Sequence, residues 1–298
     1  MESYYAKQLE CLCSQVRPGD REAMEASKRH WNKIAKPLDG LGRMEDLLVK
    51  IAGVVRSEKL CLERKAVVVF CADNGVVAEG VTQTGSEVTA VVTENIARGI
   101  ASVNRMASVA GADVIPIDVG VKGRLQETGI RNCRIADGTA NLLHEPAMTM
   151  EQTLEAIHTG IALAGELKDS GYDLLAVGEM GIGNTTTSSA IASVMLEQPP
   201  EAVTGRGAGL SGEGLERKIQ VIQKAIVLHG PDREKPLEVL SALGGLDIAA
   251  MTGFLLGGAI YRIPVVLDGM ISAVAALLAA ALCPGAVSYT HLRAHETR

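Results

Sequence analysis

Seven consecutive residues, Ala66-Val67-Val68-Val69-Phe70-Cys71-Ala72, carry no charged or amide side chain and are rich in β-branched residues. A run of that kind suits a strand buried on both faces, which occurs almost only where helices cover both sides of a parallel sheet. It stops at Asp73-Asn74-Gly75, a turn signal. Further apolar runs at 113–119, 174–177 and 263–267 are separated by longer stretches of helical periodicity. Strands alternating with helices imply right-handed βαβ units, hence an α/β fold with a mostly parallel sheet and flanking helices. Pro116, inside the second run, marks an edge or a bulge, because proline cannot donate to a ladder.

Between the strands, residues 86–109 read as one long helical stretch. Thr149-Met150-Glu151-Gln152 has the form of a capping box, opening a helix to about Lys168. Residues 4–56 look helical and strandless, broken at Lys36-Pro37 through Gly42-Arg43, and are expected to stand apart from the sheet. The most apolar stretch, 263–282, is interrupted by Asp268 and fits a buried strand followed by a helix, with no need of a membrane. Hydrophobic residues make up 47% of the 298 but aromatics only 3%, so the core must be aliphatic.

A net charge of −6 offers no basic stripe for a nucleic-acid backbone. Six scattered cysteines without a C-x-x-C pair read as free thiols in a reducing compartment, and residues 1–30 are too charged for a secretory leader. A cytoplasmic location is therefore expected. His30, His144, His158 and His229 lack metal-ligand spacing, and no metal site is expected.

The chemistry concentrates in two glycine-rich loops. Gly178-Glu179-Met180-Gly181-Ile182-Gly183-Asn184-Thr185-Thr186-Thr187 follows an apolar strand and precedes a helix expected to begin near Thr186. Unpaired amides at such a helix start, at the positive end of its dipole, bind phosphate; a plain tight turn is the alternative. The loop is neither a P-loop nor a dinucleotide fingerprint. Glu179 ends its strand where ligands bind in open α/β sheets, or else satisfies nearby amides. The second loop, 204–212, holds four glycines and Arg206; Ser211 can cap the next helix, whose face carries Lys218. Lys218 reads as a phosphate ligand or as a solvated lysine. Asp73 and Asp268 end strands and read as ligand-orienting residues or, slightly preferred, helix caps.

Nine ordered segments between about residues 30 and 283 resemble the nicotinate-nucleotide–dimethylbenzimidazole phosphoribosyltransferase family. They are Lys36-Pro37 through Arg43, Ala72-Asp73-Asn74-Gly75-Val76 with Glu79-Gly80-Val81, Ser86-Glu87-Val88-Thr89, Gly138-Thr139-Ala140-Asn141 and Glu145 through Thr149. The set continues through Gly178–Thr186, Gly205-Arg206-Gly207, Leu243-Gly244-Gly245-Leu246-Asp247 and Ile263 through Gly269.

That resemblance implies a Rossmann-like domain over 61–285, a small helical domain from both chain ends that includes residues 1–60, and a homodimer. It implies transfer of a phosphoribosyl group from nicotinate mononucleotide to 5,6-dimethylbenzimidazole without cofactor or metal. Phosphate and ribose would lie against Gly181, Gly183, Asn184, Thr185 and Thr186, with Gly207, Lys218 and Asp247 nearby. Glu179 would face the reacting centre, and the benzimidazole would sit near Ser86 in segment 82–89.

Two departures stand out: Pro37-Leu38-Asp39-Gly40 replaces the family's Pro-Pro-Gly-Ser, and the Gly-Glu-Gly-Thr-Gly-like motif carrying the family's catalytic glutamate does not occur. Residues 286–298 break with the aliphatic composition before them and are expected to be a non-native tail on a truncated family sequence, impairing turnover. A non-catalytic binder of nucleotides or benzimidazoles remains the alternative. A magnesium-dependent transferase using a pyrophosphate-activated sugar would need an acidic pair that is not found.

Overall fold

The structure, a computed structural model, describes residues 2–292. Three helices come first: α1 (Glu2–Ser14), α2 (Arg21–Lys33) and α3 (Arg43–Val55). The alternating part begins with β1 (Lys65–Ala72), a 3-10 turn (Gly75–Glu79), α4 (Glu87–Ala97), α5 (Ser102–Ala110), β2 (Ala112–Gly120) and the short β3 (Arg131–Asn132). It continues with α6 (Met150–Asp169), β4 (Leu174–Met180), α7 (Asn184–Met195), α8 (Pro200–Val203), α9 (Gly212–His229) and α10 (Pro236–Leu243). The last elements are α11 (Leu246–Tyr261), β5 (Val265–Leu267), α12 (Met270–Leu282), a 3-10 turn (Pro284–Tyr289) and β6 (Thr290–Leu292).

The strands form one sheet in the order β3-β2-β1-β4-β5-β6, and every neighbouring pair is parallel. That is the doubly wound Rossmann order. β1 lies at its centre, and its side chains divide between the faces with a period of two, as a pleated strand requires. Ala66, Val68, Phe70 and Ala72 enter the main core with residues of α6 and α11, whereas Val69 and Cys71 join a smaller cluster with Ile96 of α4. Phe70 meets Phe254 of α11 edge to face, 5.6 Å between centroids. The expected all-aliphatic core thus has one aromatic contact at its middle.

α6 and α11 touch backbone to backbone. A Cβ on Gly253 would lie 1.9 Å from the Ile157 carbonyl oxygen, and one on Gly160 2.0 Å from that of Ala250. Glycine at these positions sets how closely the two helices approach each other. Outside β2 only Ile117 and Asp118 find partners in β3, so Pro116 sits on an open edge, as its chemistry demands. The ladder also slips by one residue where Ala72 pairs with Gly120.

The Thr149–Gln152 capping box is present in both directions. The stretch 86–109 is corrected: it is two helices, broken where Gly99 takes φ +76° and the Asn104 amide donates to the Ile96 carbonyl at 3.1 Å. No strand interrupts residues 2–56, yet Leu9 of α1 reaches the main core and a ring nitrogen of His158 in α6 lies 2.9 Å from the Tyr5 carbonyl oxygen. Residues 290–292 pair with β5 as an edge strand, while 293–298, which complete the expected tail, lie outside the described residues. No helix among the described residues is long and apolar enough to cross a membrane.

Candidate active site

β1 and β4 are neighbours, but the chain leaves them toward opposite edges of the sheet. Such a switch point opens a crevice beyond the carboxyl ends of the strands. The crevice here is a cleft of about 160 Å³, walled by Val81–Thr84 downstream of β1, by Glu179–Thr185 from the end of β4 onward, and by Arg206–Ala208, Leu210 and Lys218.

One end of the cleft suits an anion. Gly183 precedes α7 at φ +97°, in the left-handed region, and no side chain caps the helix. Asn184 and Thr186 close tight turns onto the carbonyls of Gly181 and Gly183, at 3.1 and 2.9 Å. With the Thr187 amide also turned onto the Gly183 carbonyl, the Gly183 and Thr185 N–H groups are what the entrance leaves to an outside acceptor, favoured by the dipole. Lys218 rises beside it from α9. Its side chain is buried, and its Nζ donates to Thr185 Oγ1 at 2.8 Å and to the Gly205 carbonyl at 3.2 Å, both neutral acceptors. Burial pushes the Lys218 ammonium down to about 8. Gly207, at φ +57°, turns the second loop over this point; a Cβ there would stand 3.1 Å from Thr185 Oγ1 and 3.6 Å from Lys218 Nζ. Ser211 accepts from the Gly214 amide at 3.1 Å, the expected cap, and anchors the loop to α9. Gln83 donates across the mouth to the Gly209 carbonyl, tying the two walls together.

The other end is acidic. Glu179 is half-buried in the wall, and its Oε2 accepts from the Asn184 amide. The same amide nitrogen donates to Asp247 Oδ2 at 3.0 Å, while Asp247 Oδ1 accepts from the Ile248 N–H at 2.9 Å, in the first turn of α11. Loss of solvent raises both carboxyl groups, and the Asn184 hydrogen bond opposes the rise in each; Asp247, fully buried and facing Glu179, is lifted to about 7. Gly181 is forced by this packing, since a Cβ would meet the Ala72 carbonyl oxygen at 2.4 Å and Asp247 Oδ2 at 2.7 Å.

Of the residues singled out from the sequence, Glu179, Gly181, Gly183, Asn184, Thr185, Gly207 and Lys218 line this one cleft. Thr186, Asp247 and Ser86 are not on its wall. Thr186 is fully buried with its hydroxyl unpartnered, and Asp247 reaches the wall from behind, packed against Gly181 and hydrogen-bonded to Asn184. Ser86 precedes α4, whose Thr89 hydroxyl accepts from the Ile182 amide at 3.1 Å. Helix α7 starts at Asn184, two residues earlier than expected.

Asp73 is no helix cap: it is buried and accepts from the Lys122 N–H at 2.7 Å, its other oxygen unpartnered. Asp268 is exposed, and α12 begins without a side-chain cap. Leu210 was not singled out from the sequence, whereas Gln83 falls in segment 82–89, where the resemblance places the benzimidazole.

The family model described as phosphoribosyltransferase (DBI_PRT) matches residues 16–297. The nicotinate-nucleotide–dimethylbenzimidazole phosphoribosyltransferase of Acetivibrio thermocellus is 44% identical over 264 residues, covering 89% of this chain and 75% of the relative. That of Clostridium acetobutylicum is 42% identical over 276 residues, with 93% and 78% covered. The crystal structure of CobT from Thermus thermophilus superposes with a TM-score of 0.86 at 39% identity, over 91% of this chain and 81% of that one. With the family model spanning residues 16–297 and relatives above 40% identity covering about nine-tenths of it, the chain belongs to the nicotinate-nucleotide–dimethylbenzimidazole phosphoribosyltransferase family.

Proposed function

We propose that this cleft transfers the phosphoribosyl group of nicotinate mononucleotide to 5,6-dimethylbenzimidazole, the substrates named for its relatives. The observation that carries the reading is a buried ammonium without a carboxylate among its hydrogen-bond partners, set beside an uncapped helix entrance. A 5′-phosphate supplies the charge that Lys218 lacks and the acceptor that α7 leaves open. The ribose then extends along Gly181–Asn184 toward Glu179, and the benzimidazole enters from the 81–84 wall.

The donor already carries a cationic pyridinium, so its C1′–N bond breaks with the electron pair returning to the pyridine ring. A benzimidazole ring nitrogen forms the new C1′–N bond from the opposite face, inverting the carbon and giving α-ribazole 5′-phosphate and nicotinate. The other ring nitrogen gives up its proton; Glu179 faces the reacting centre from the wall in a supporting role, and with the family's catalytic glutamate motif not found in this sequence the proton passes to water and turnover is slow. Anchoring the phosphate at one end and the azole at the other supplies the alignment that a bimolecular displacement otherwise lacks.

The resemblance also supports a homodimer, a cytoplasmic location and the division into a helical part (1–60) and a nucleotide-binding part (61–285). Sedimentation velocity tests the first of these, a single species of twice the chain mass being expected. The activity is tested by incubating the protein with nicotinate mononucleotide, with and without 5,6-dimethylbenzimidazole. Slow release of nicotinate that depends on the benzimidazole is expected. Release that ignores it, or no release, contradicts the reading.

A further inference from the structure

Two residues beneath the phosphate end of the cleft are out of any ligand's reach. Asn74, in the turn after β1, and Thr89, on α4, are both fully buried, and neither lines the cleft. Yet both hold the same residue of the glycine-rich loop. Thr89 Oγ1 accepts from the Ile182 N–H at 3.1 Å, and Asn74 Nδ2 donates to the Ile182 carbonyl at 3.4 Å.

Asn74 is also wedged beneath the glycines on either side. A Cβ on Gly181 would lie 3.1 Å from Asn74 Nδ2, and one on Gly183 would lie 3.2 Å from Asn74 Cβ. Its amide nitrogen gains one long hydrogen bond from this placement, while its carbonyl oxygen is buried without a partner. An unpaired buried acceptor weakens a fold, so stability alone does not account for an asparagine here.

Peptide geometry does. In a trans peptide the C=O and the following N–H point in opposite directions. With the Ile182 carbonyl drawn inward to Asn74, the Gly183 N–H is turned outward, to the cleft that Gly183 lines. At the preceding peptide, Thr89 holds the Ile182 N–H and so turns the Gly181 carbonyl the other way. There it accepts from the Asn184 N–H at 3.1 Å and closes the turn into α7.

We propose that Asn74 and Thr89 are positioning residues, which clamp the two peptide groups of Ile182 so that the Gly183 N–H is aimed at the nucleotide's 5′-phosphate before it binds. The clamp has this meaning only with the α7 entrance as a phosphate seat, the reading on which this inference rests. Unrestrained, a loop with glycine on both sides of Ile182 is free to rotate its peptide planes and carry the donor away from the anion. Fixing the planes at folding removes that ordering from the binding step. Both clamping residues are themselves anchored. Thr93 Oγ1 donates to the Thr89 carbonyl at 2.7 Å, and the Gly75 N–H next to Asn74 donates to Thr139 Oγ1 at 3.0 Å.

Calorimetric titration with nicotinate mononucleotide and with its dephosphorylated riboside separates aiming from mere support. Thr89→Val removes the hydroxyl with little change of shape, Thr89→Ser keeps it, and Asn74→Ala removes the amide. In Thr89→Val and Asn74→Ala the mononucleotide should bind about three- to tenfold more weakly and the riboside should change by less than about twofold, the size of one neutral hydrogen bond lost. Thr89→Ser should restore the preference for the mononucleotide.

Equal weakening of both ligands would make the two residues supports of the fold alone, and it would overturn the proposal. So would a preference for the mononucleotide that is present in the unaltered protein and undiminished in both variants; the phosphate seat would then stand without the clamp. An unaltered protein that binds the two ligands equally has no phosphate seat, and the clamp falls with it. Should Asn74→Ala not fold, the contrast between Thr89→Val and Thr89→Ser decides alone, equal preferences in the two counting against the proposal.

Discussion

Lys218 shows how much a single side chain can commit a site. Burying its ammonium against two neutral acceptors costs solvation that a bound phosphate returns. Lys218→Met should therefore leave the fold intact and weaken nicotinate mononucleotide binding by about 10- to 100-fold, the size of a hydrogen bond to a charged group, measured by calorimetric titration. Binding should also be pH-dependent. As pH rises through about 8 the free protein loses this charge, so affinity should fall between pH 7 and 9, and the fall should vanish in Lys218→Met. Lys218, Glu179 and the loop glycines were legible in the sequence because their chemistry needs no rotamer to be recognised. Thr186 and Asp247 were not. Successive helical residues turn by about 100°, so Asn184, Thr185 and Thr186 cannot all face one cleft, and a motif written along the chain does not say which is turned inward.

At the scale of elements the site depends on helices that must come unusually close. Gly253→Ala would force a Cβ against the Ile157 carbonyl, a backbone atom that cannot swing aside. Overpacking of this kind costs about 1–3 kcal/mol, and a thermal melt should show the loss while Gly212→Ala, exposed at the start of α9 with open space where its Cβ would go, changes stability far less. Ser211→Ala removes the α9 cap at about 1 kcal/mol; because Ser211 also anchors the second loop, KM for the nucleotide should rise with it. Strands and the α6 cap were readable because continuous apolar runs and the Thr149–Gln152 pair are local signals. The α4–α5 break was missed because apolar residues recur on both sides of Gly99, and only its positive φ, a tertiary outcome, ends the first helix.

In the molecule as a whole, the sheet order places β1 beside β4, and everything chemical follows from that adjacency. Alternating strands announced a parallel sheet, but strand order is long-range information that periodicity does not carry; it entered through the ordered family motifs. Folding and protonation are coupled at the same place. Asp247 holds its proton in the folded state up to about pH 7, against an ordinary value near 3.8, so the folded protein binds the extra proton across that interval. Its contribution to stability is fully present below 3.8 and is lost as pH rises through about 7. Urea denaturation should thus show stability declining from pH 5.5 to 8, with a shallower decline in Asp247→Asn. The claim on which the account turns is the phosphate seat formed by Lys218 and the α7 entrance, and a double-mutant cycle tests it. Binding of nicotinate mononucleotide and of its dephosphorylated riboside should differ strongly in the unaltered protein and by about 10- to 100-fold less in Lys218→Met. Undiminished discrimination in Lys218→Met would contradict it.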